Sequence, residues 1–149
     1  MRAVIQRVDR AGVRIHNKEI SSISEWILVL LGVEKEDHKS DADYILDKTV
    51  NLRIFEDDQG KMNRSLLDIG GEMMVVSQFT LLGDCTKGRR PSFVGAEEPV
   101  KANELYEYFV QEGSLRVKKL ATGKFQEMMQ VELVNNGPVT ILLDSKKKF

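Results

Sequence analysis

Trp26-Ile-Leu-Val-Leu-Leu-Gly-Val33 is an unbroken apolar run rich in branched residues. It falls well short of the roughly 20 residues that a membrane-spanning helix needs. It therefore reads as a strand buried on both faces of a sheet. Two more strands precede it. Ala3 to Val8 is the first. Ala11 to His16 is the second, where Ala11, Val13 and Ile15 alternate with Gly12, Arg14 and His16, the period of a half-buried strand.

After the run the period changes. Ser40 reads as a helix N-cap with Asp43 as its capping-box acid, and Ala42, Ile45, Leu46 and Thr49 follow at helical spacing. Leu52 to Phe55 is a short strand, Asp57 to Gly60 a turn, and Gly70-Gly71 a break before a strong strand, Met73 to Leu81. The stretch from Leu82 to Val94, rich in Gly, Asp, Lys and Arg, is a long loop of the kind that carries function. A second helix is expected over Pro99 to Glu112, with Ala102, Leu105, Tyr106, Phe109 and Val110 as its apolar face and Gly113 as its C-terminal cap. Three strand-like runs follow: Leu115 to Leu120, Met128 to Val134 and Val139 to Leu143. Asn135-Asn136-Gly137-Pro138 separates the last two. The fold class is α/β, a mixed and largely antiparallel sheet with two main helices on one side, in a single domain over residues 1–149.

Composition narrows the function. Of 149 residues, 42% are hydrophobic and 30% charged, enough to build a core and keep a soluble surface. Lys and Arg (22) nearly balance Asp and Glu (23), which argues against coating DNA or RNA through many phosphate contacts. Local basic patches remain at Lys87-Gly88-Arg89-Arg90 and Lys146-Lys147-Lys148. Arg2, Arg7, Asp9 and Arg10 leave no signal-peptide core, so a cytoplasmic location and no membrane association are expected.

Most hydrolytic chemistries leave a cluster, and none is visible. The only histidines are His16, beside a turn, and His38, within a charged stretch. No nucleophile elbow, metal-ligand spacing or glycine-rich phosphate loop occurs, so neither a metal nor a cofactor is expected. Cys85 is the single cysteine, and no histidine lies near it to activate the thiol. Two segments stand out: Ser77-Gln78-Phe79-Thr80-Leu81, which enters the basic loop, and Asn135-Asn136-Gly137-Pro138-Val139-Thr140. Each alone also reads as a strand end or an ordinary turn.

Together they change the reading. The chain resembles the D-aminoacyl-tRNA deacylases from end to end. The likeness runs through Ala3-Val-Ile-Gln-Arg-Val8, Leu30-Leu-Gly-Val-Glu34, Asn51-Leu-Arg-Ile-Phe55 and Gly60-Lys-Met-Asn63. It continues through Val75-Val-Ser-Gln-Phe-Thr-Leu81, Gly88-Arg-Arg-Pro-Ser-Phe93, Thr122-Gly-Lys-Phe125, Met129-Gln-Val131 and Leu133-Val-Asn-Asn-Gly-Pro-Val-Thr140. Gln126-Glu127 departs from the small residues expected at that point.

The resemblance implies a three-layer α/β/β homodimer that hydrolyses the ester between a D-amino acid and tRNA without a cofactor. It implies that Gly137-Pro138 has a cis peptide bond and projects into the partner's active site, with Arg7 fixing that loop. Ser77, Gln78, Phe79 and Thr80 would line the pocket, with main-chain groups of the Gln78–Phe79 region near the ester. Asn135 and Thr140, which flank the Gly-Pro pair in the motif, would join substrate binding. Rigid backbone against the alpha carbon gives the wrong configuration a clash while leaving the side chain unread. Glycyl-tRNA should pass the same filter.

Two chemical steps remain open: Thr80 as nucleophile, or a water assisted by the terminal ribose 2′-hydroxyl with backbone N–H groups holding the oxyanion. Lys87, Arg89 and Arg90 would meet tRNA phosphates. Phe79 would stack on the terminal adenine or belong to the core. The rivals are a non-catalytic tRNA-binding module of the same fold and a Cys85-dependent hydrolase.

Overall fold

The computed structural model describes every residue, Met1–Phe149. The strands are β1 (Arg2–Ile15), β2 (Lys18–Ile23), β3 (Trp26–Gly32), β4 (Phe55–Glu56), β5 (Met62–Arg64), β6 (Glu72–Ser77), β7 (Lys119–Thr122) and β8 (Gln130–Asp144). The helices are α1 (Lys39–Asn51), α2 (Leu66–Ile69) and α3 (Pro99–Ser114). β3 lies between β1 and β6, and its residues from Ile27 to Leu31 are buried apart from the half-buried Leu30. The apolar run is thus a central strand, as its composition requires.

The order across the main sheet is β2-β1-β3-β6-β7, with β8 on the other edge of β1. β3–β6 and β6–β7 are parallel, and the pairings of β1 are antiparallel. The two ends of that order meet. The Ser21 hydroxyl donates to the Thr122 carbonyl at 2.6 Å, and Lys119 Nζ donates to the Ser22 carbonyl at 3.1 Å. The sheet therefore curls almost into a barrel.

Ala3 to Val8 and Ala11 to His16 prove to be one strand, except that it ends at Ile15 and leaves His16 in the turn. Asp9 and Arg10 interrupt the alternation, but β8 runs beside β1 from Arg2 to Arg14 and shifts register around Val8. The shift changes the face that β1 buries. Ala3 and Ile5 join a core with α1 and α3, whereas Val8, Ala11 and Val13 join a second core inside the curl with Leu28, Met74 and Val76. Helical residues occur in the first core only. The hairpin to β2, which the periodicity does not announce, turns on His16 and Asn17, both at positive φ (49° and 62°), as a two-residue turn matched to strand twist demands.

Other boundaries move for local reasons. Helix α1 starts two residues early, because Asp41 rather than Asp43 accepts the capping N–H, from His38 at 2.9 Å. Gly113 is not a cap but a buried helical residue, where a Cβ would stand 2.8 Å from Leu120 Cδ1. Leu115 stays in the helical region at the α3 terminus, so β7 begins only at Lys119. A short helix, α2, is capped by Ser65, whose hydroxyl accepts from the Asp68 N–H. The two runs around Asn135–Pro138 are one strand, β8, not a hairpin.

Candidate active site

Strand β6 was expected to run to Leu81 but stops at Ser77, where its neighbours run out. The last β7 partner is at Val75, and β3 ends at Gly32. Gln78 gives one further N–H to the Leu31 carbonyl at 2.8 Å and leaves the extended region (φ −146°, ψ 80°). Phe79–Leu82 then coils as a 3-10 turn, with Leu81 N–H on the Gln78 carbonyl (3.3 Å) and Gly83 N–H on the Thr80 carbonyl (3.0 Å). Gly32 makes room for it, because a Cβ there would stand 2.8 Å from the Gln78 oxygen and 2.6 Å from Leu82 Cδ2. As in any helical start, the first N–H groups lack acceptors within the turn. The N–H groups of Phe79 and Thr80 have no protein acceptor.

Beside this turn lies a cavity of about 670 Å³. Its size is that of a small-ligand site, roughly 300–1,000 Å³. Ser77, Gln78 and Phe79 line it. Thr80 lies outside the lining, exposed, and its hydroxyl accepts from the Gln78 side-chain amide. Phe79 is 56% exposed, so it is not a core residue, and it meets Phe93 edge-on with ring centroids 5.1 Å apart.

The opposite wall comes from residues with no site role assigned from the sequence: Phe93, Ala96 and Ala102, with Phe125, Met128 and Met129. Two carboxylates, Glu97 and Glu127, also line it. Hydrogen bonds from Lys101 (2.8 Å) and Lys124 (2.9 Å) hold both below the usual carboxylate range. The departure at Gln126-Glu127 therefore falls on the cavity wall, with Gln126 at φ 60°.

The Gly137-Pro138 pair lies elsewhere. Asn135 pairs with Val8 and Thr140 with Gln6, so four residues of β8 bulge opposite Arg7 alone. The Gly137-Pro138 bond is cis, Gly137 has φ 125°, and both residues are exposed. Arg7 braces the bulge: Nε donates to the Asn136 carbonyl at 3.3 Å and Nη1 to the Ile54 carbonyl at 2.5 Å. Gln6 Nε2 reaches Asn135 Oδ1 at 3.3 Å, and the Asn136 amide bonds Asp9.

None of Arg7, Asn135, Gly137, Pro138 and Thr140 lines the cavity. Gly137-Pro138 is level with Ile27 of β3, four residues from the Leu31–Ser77 pair, and three strand spacings separate β8 from β6. At about 3.3 Å per residue and about 4.8 Å per strand, the two places are about 20 Å apart measured along the sheet.

The basic loop forms a third feature. Asp84 and Ser92 exchange two backbone hydrogen bonds (2.8 and 2.9 Å) and close its base. The Thr86 hydroxyl and N–H hold the Asp84 carboxyl below its usual range. Lys87, Arg89 and Arg90 stand exposed at the tip. Cys85 is exposed in the same loop, and His16 and His38 are exposed far along the chain from it.

Comparison with known proteins places the chain among relatives of known description. The family described as D-Tyr-tRNA(Tyr) deacylase matches residues 4–144. A "D-aminoacyl-tRNA deacylase" of Syntrophus aciditrophicus is 61% identical over the whole of both chains, and one of Clostridioides difficile is 56% identical over the same extent. A solved structure described as "c-Myc DNA Unwinding Element Binding Protein" is 39% identical, with a TM-score of 0.92 over 97% of this chain and 98% of that one. A second, of a probable eukaryotic D-amino acid tRNA deacylase, shares the fold at 15% identity and a TM-score of 0.79 over 95% and 97% of the two chains. With its full length matched in sequence and in fold, this chain belongs to the D-Tyr-tRNA(Tyr) deacylase family.

Proposed function

We propose that this protein hydrolyses the ester of D-aminoacyl-tRNA, releasing the free D-amino acid and tRNA. The observation that carries the reading is the pair of unpaired N–H groups on Phe79 and Thr80, next to the lined cavity. Two fixed donors of this kind suit an ester carbonyl whose oxygen gains charge, each worth roughly 10²–10³-fold in rate. Water adds to the carbonyl carbon, the ester C–O bond breaks, and the terminal ribose oxygen leaves with a proton. No general base adjoins the Thr80 hydroxyl, whose hydrogen-bond partner is the Gln78 amide. The ribose 2′-hydroxyl therefore takes the assisting role.

Handedness is read by Gly137-Pro138 of a second copy of the chain. The separation within one chain supports a cross-subunit arrangement, as does the outer edge of β8, which pairs with nothing, while Leu133 and Leu142 on that strand are exposed. A backbone wedge facing the alpha carbon admits any D side chain and also glycine. Lys87, Arg89 and Arg90 carry tRNA phosphates, and the enzyme acts in the cytoplasm.

Incubation with D- and L-tyrosyl-tRNA in parallel tests the activity: the D ester is cleaved and the L ester survives. Binding without cleavage of either would mark a non-catalytic module instead. A terminal 2′-deoxy D ester should resist both wild type and Thr80→Ala, and full cleavage by wild type would remove the ribose from the mechanism. Glycyl-tRNA should be hydrolysed, and complete resistance would overturn the wedge as the selector.

A further inference from the structure

Arg2 bridges three elements near the site without lining the cavity. Its Nε donates to Asp144 Oδ2 at 3.1 Å, its Nη1 donates to the Leu81 carbonyl at 3.0 Å, and its guanidinium carbon lies 5.9 Å from the Phe149 ring centroid. Asp144 is the cross-strand partner of Arg2 in β8. Its side chain is fully buried, and Oδ1 is taken up by the Lys146 N–H at 2.7 Å. On the other edge Arg2 pairs with Gly32, the residue whose missing Cβ lets the 3-10 turn lie against β3.

The turn is therefore pinned at both ends. At its start Gln78 N–H is fixed to the Leu31 carbonyl. At its end the Leu81 carbonyl is fixed by a cation, which is itself fixed by a buried carboxylate. The free N–H groups of Phe79 and Thr80 lie between the two pins. A planar guanidinium can hold two acceptors at a set angle, whereas an ammonium is a single point charge.

We propose that Arg2, oriented by Asp144, is a positioning residue that sets the Phe79 and Thr80 N–H groups for the ester oxygen. This rests on the proposed role of the turn in hydrolysis. Substrate binding draws on the cavity and the basic loop, neither of which includes Arg2, so its loss acts on the chemical step. A misplacement of about 1 Å at reacting groups costs on the order of 10²-fold in rate.

The test uses the full chain with D-tyrosyl-tRNA and compares wild type, Arg2→Met, Arg2→Lys and Gly32→Ala, each with a thermal melt. Hydrogen exchange is followed at the amides of Gln78, Leu81 and Gly83. Arg2→Met should lower kcat about 10²-fold with KM within twofold, and those three amides should exchange faster while α1 is unchanged. Arg2→Lys should recover the melting temperature, since Asp144 again faces a cation, but not kcat. Arg2→Met with kcat within twofold of wild type, or with unchanged exchange across the turn, overturns the proposal. The underlying reading fails differently: Gly32→Ala, which must displace the turn, would then fold and keep full kcat.

Discussion

Gly137→Ala puts the brace between β1 and the β8 bulge under the most direct load. The residue sits at φ 125°, where L side chains are rare, and its Cβ would stand 2.5 Å from Arg7 Nη2 and 3.1 Å from Val139 Cγ2. The backbone conformation alone costs about 1–3 kcal/mol. Arg7 must also shift, which weakens its bonds to the Asn136 and Ile54 carbonyls, and bonds from a charged donor are worth about 1.5–3 kcal/mol each. A net loss of about 3 kcal/mol corresponds to a fall in Tm of about 10 °C for a chain of this size.

Gly60→Ala is the control. Gly60 also has positive φ (75°), but nothing lies within 4 Å of the added Cβ. Its cost is the backbone cost alone, about 1 kcal/mol. Differential scanning calorimetry reads the stabilities, and hydrolysis of D- and L-tyrosyl-tRNA reads the selectivity. Gly137→Ala should lower the D/L ratio of kcat/KM at least about tenfold, equivalent to 1.4 kcal/mol, while Gly60→Ala leaves it unchanged. If Gly137→Ala melts with wild type and keeps its D/L ratio, the bulge is neither braced nor selective in the way described.

Tyr106→Phe should cost about 1 kcal/mol, a Tm fall of about 3 °C, and leave kcat intact. It removes the buried bond to the Val75 carbonyl (2.8 Å), but that carbonyl keeps the Gly123 N–H at 3.1 Å. Replacing Lys87, Arg89 and Arg90 by Gln should raise KM with kcat unchanged and reduce the salt slope of tRNA binding by about one per residue.

Acid should destabilise the fold in one direction only. Backbone hydrogen bonds hold Asp57 and Asp68 below the usual 3.8, from Lys61 and Ser65 respectively. Burial works to raise Glu34, but hydrogen bonds from Lys148 and Lys146 outweigh it and hold the group below the usual 4.5. With folded values depressed, the unfolded chain binds more protons in that range. Stability is then complete above about pH 5 and falls as pH drops through and below 4. Denaturant midpoints across pH 3–7 measure it, and Glu34→Gln should make the decline shallower.

The central strand, the two long helices and the alternating face of Ala11–Ile15 were legible because burial imposes a period on residues close in sequence. What periodicity misses is decided by neighbours. β6 ends at Ser77 because β7 and β3 end there, not because Gln78 or Phe79 disfavours a strand. β1 and β8 are each continuous because they run beside each other past Asp9-Arg10 and Asn135–Pro138, stretches that look like turns in isolation. Gly113 resembles a cap and is instead a contact with Leu120 and Met73. For the site, the motif residues divide between two distant places. Phe93, Phe125 and Met129 carry no chemical signature and become a wall only through folding. Arg2 and Asp144, at opposite ends of the sequence, look like ordinary surface charges until strand pairing joins them.

The pairing of the cavity with a second chain's Gly137-Pro138 is most directly measured by site-specific photocrosslinking. p-Benzoylphenylalanine replaces Phe79, an exposed aromatic, in a mixture of 14N- and 15N-labelled protein, and crosslinked peptides are mapped by mass spectrometry. The prediction is crosslinks from position 79 to residues 135–140 that join peptides of opposite label. Crosslinks to that segment only within one label, or an assembled protein that gives none there, would contradict it.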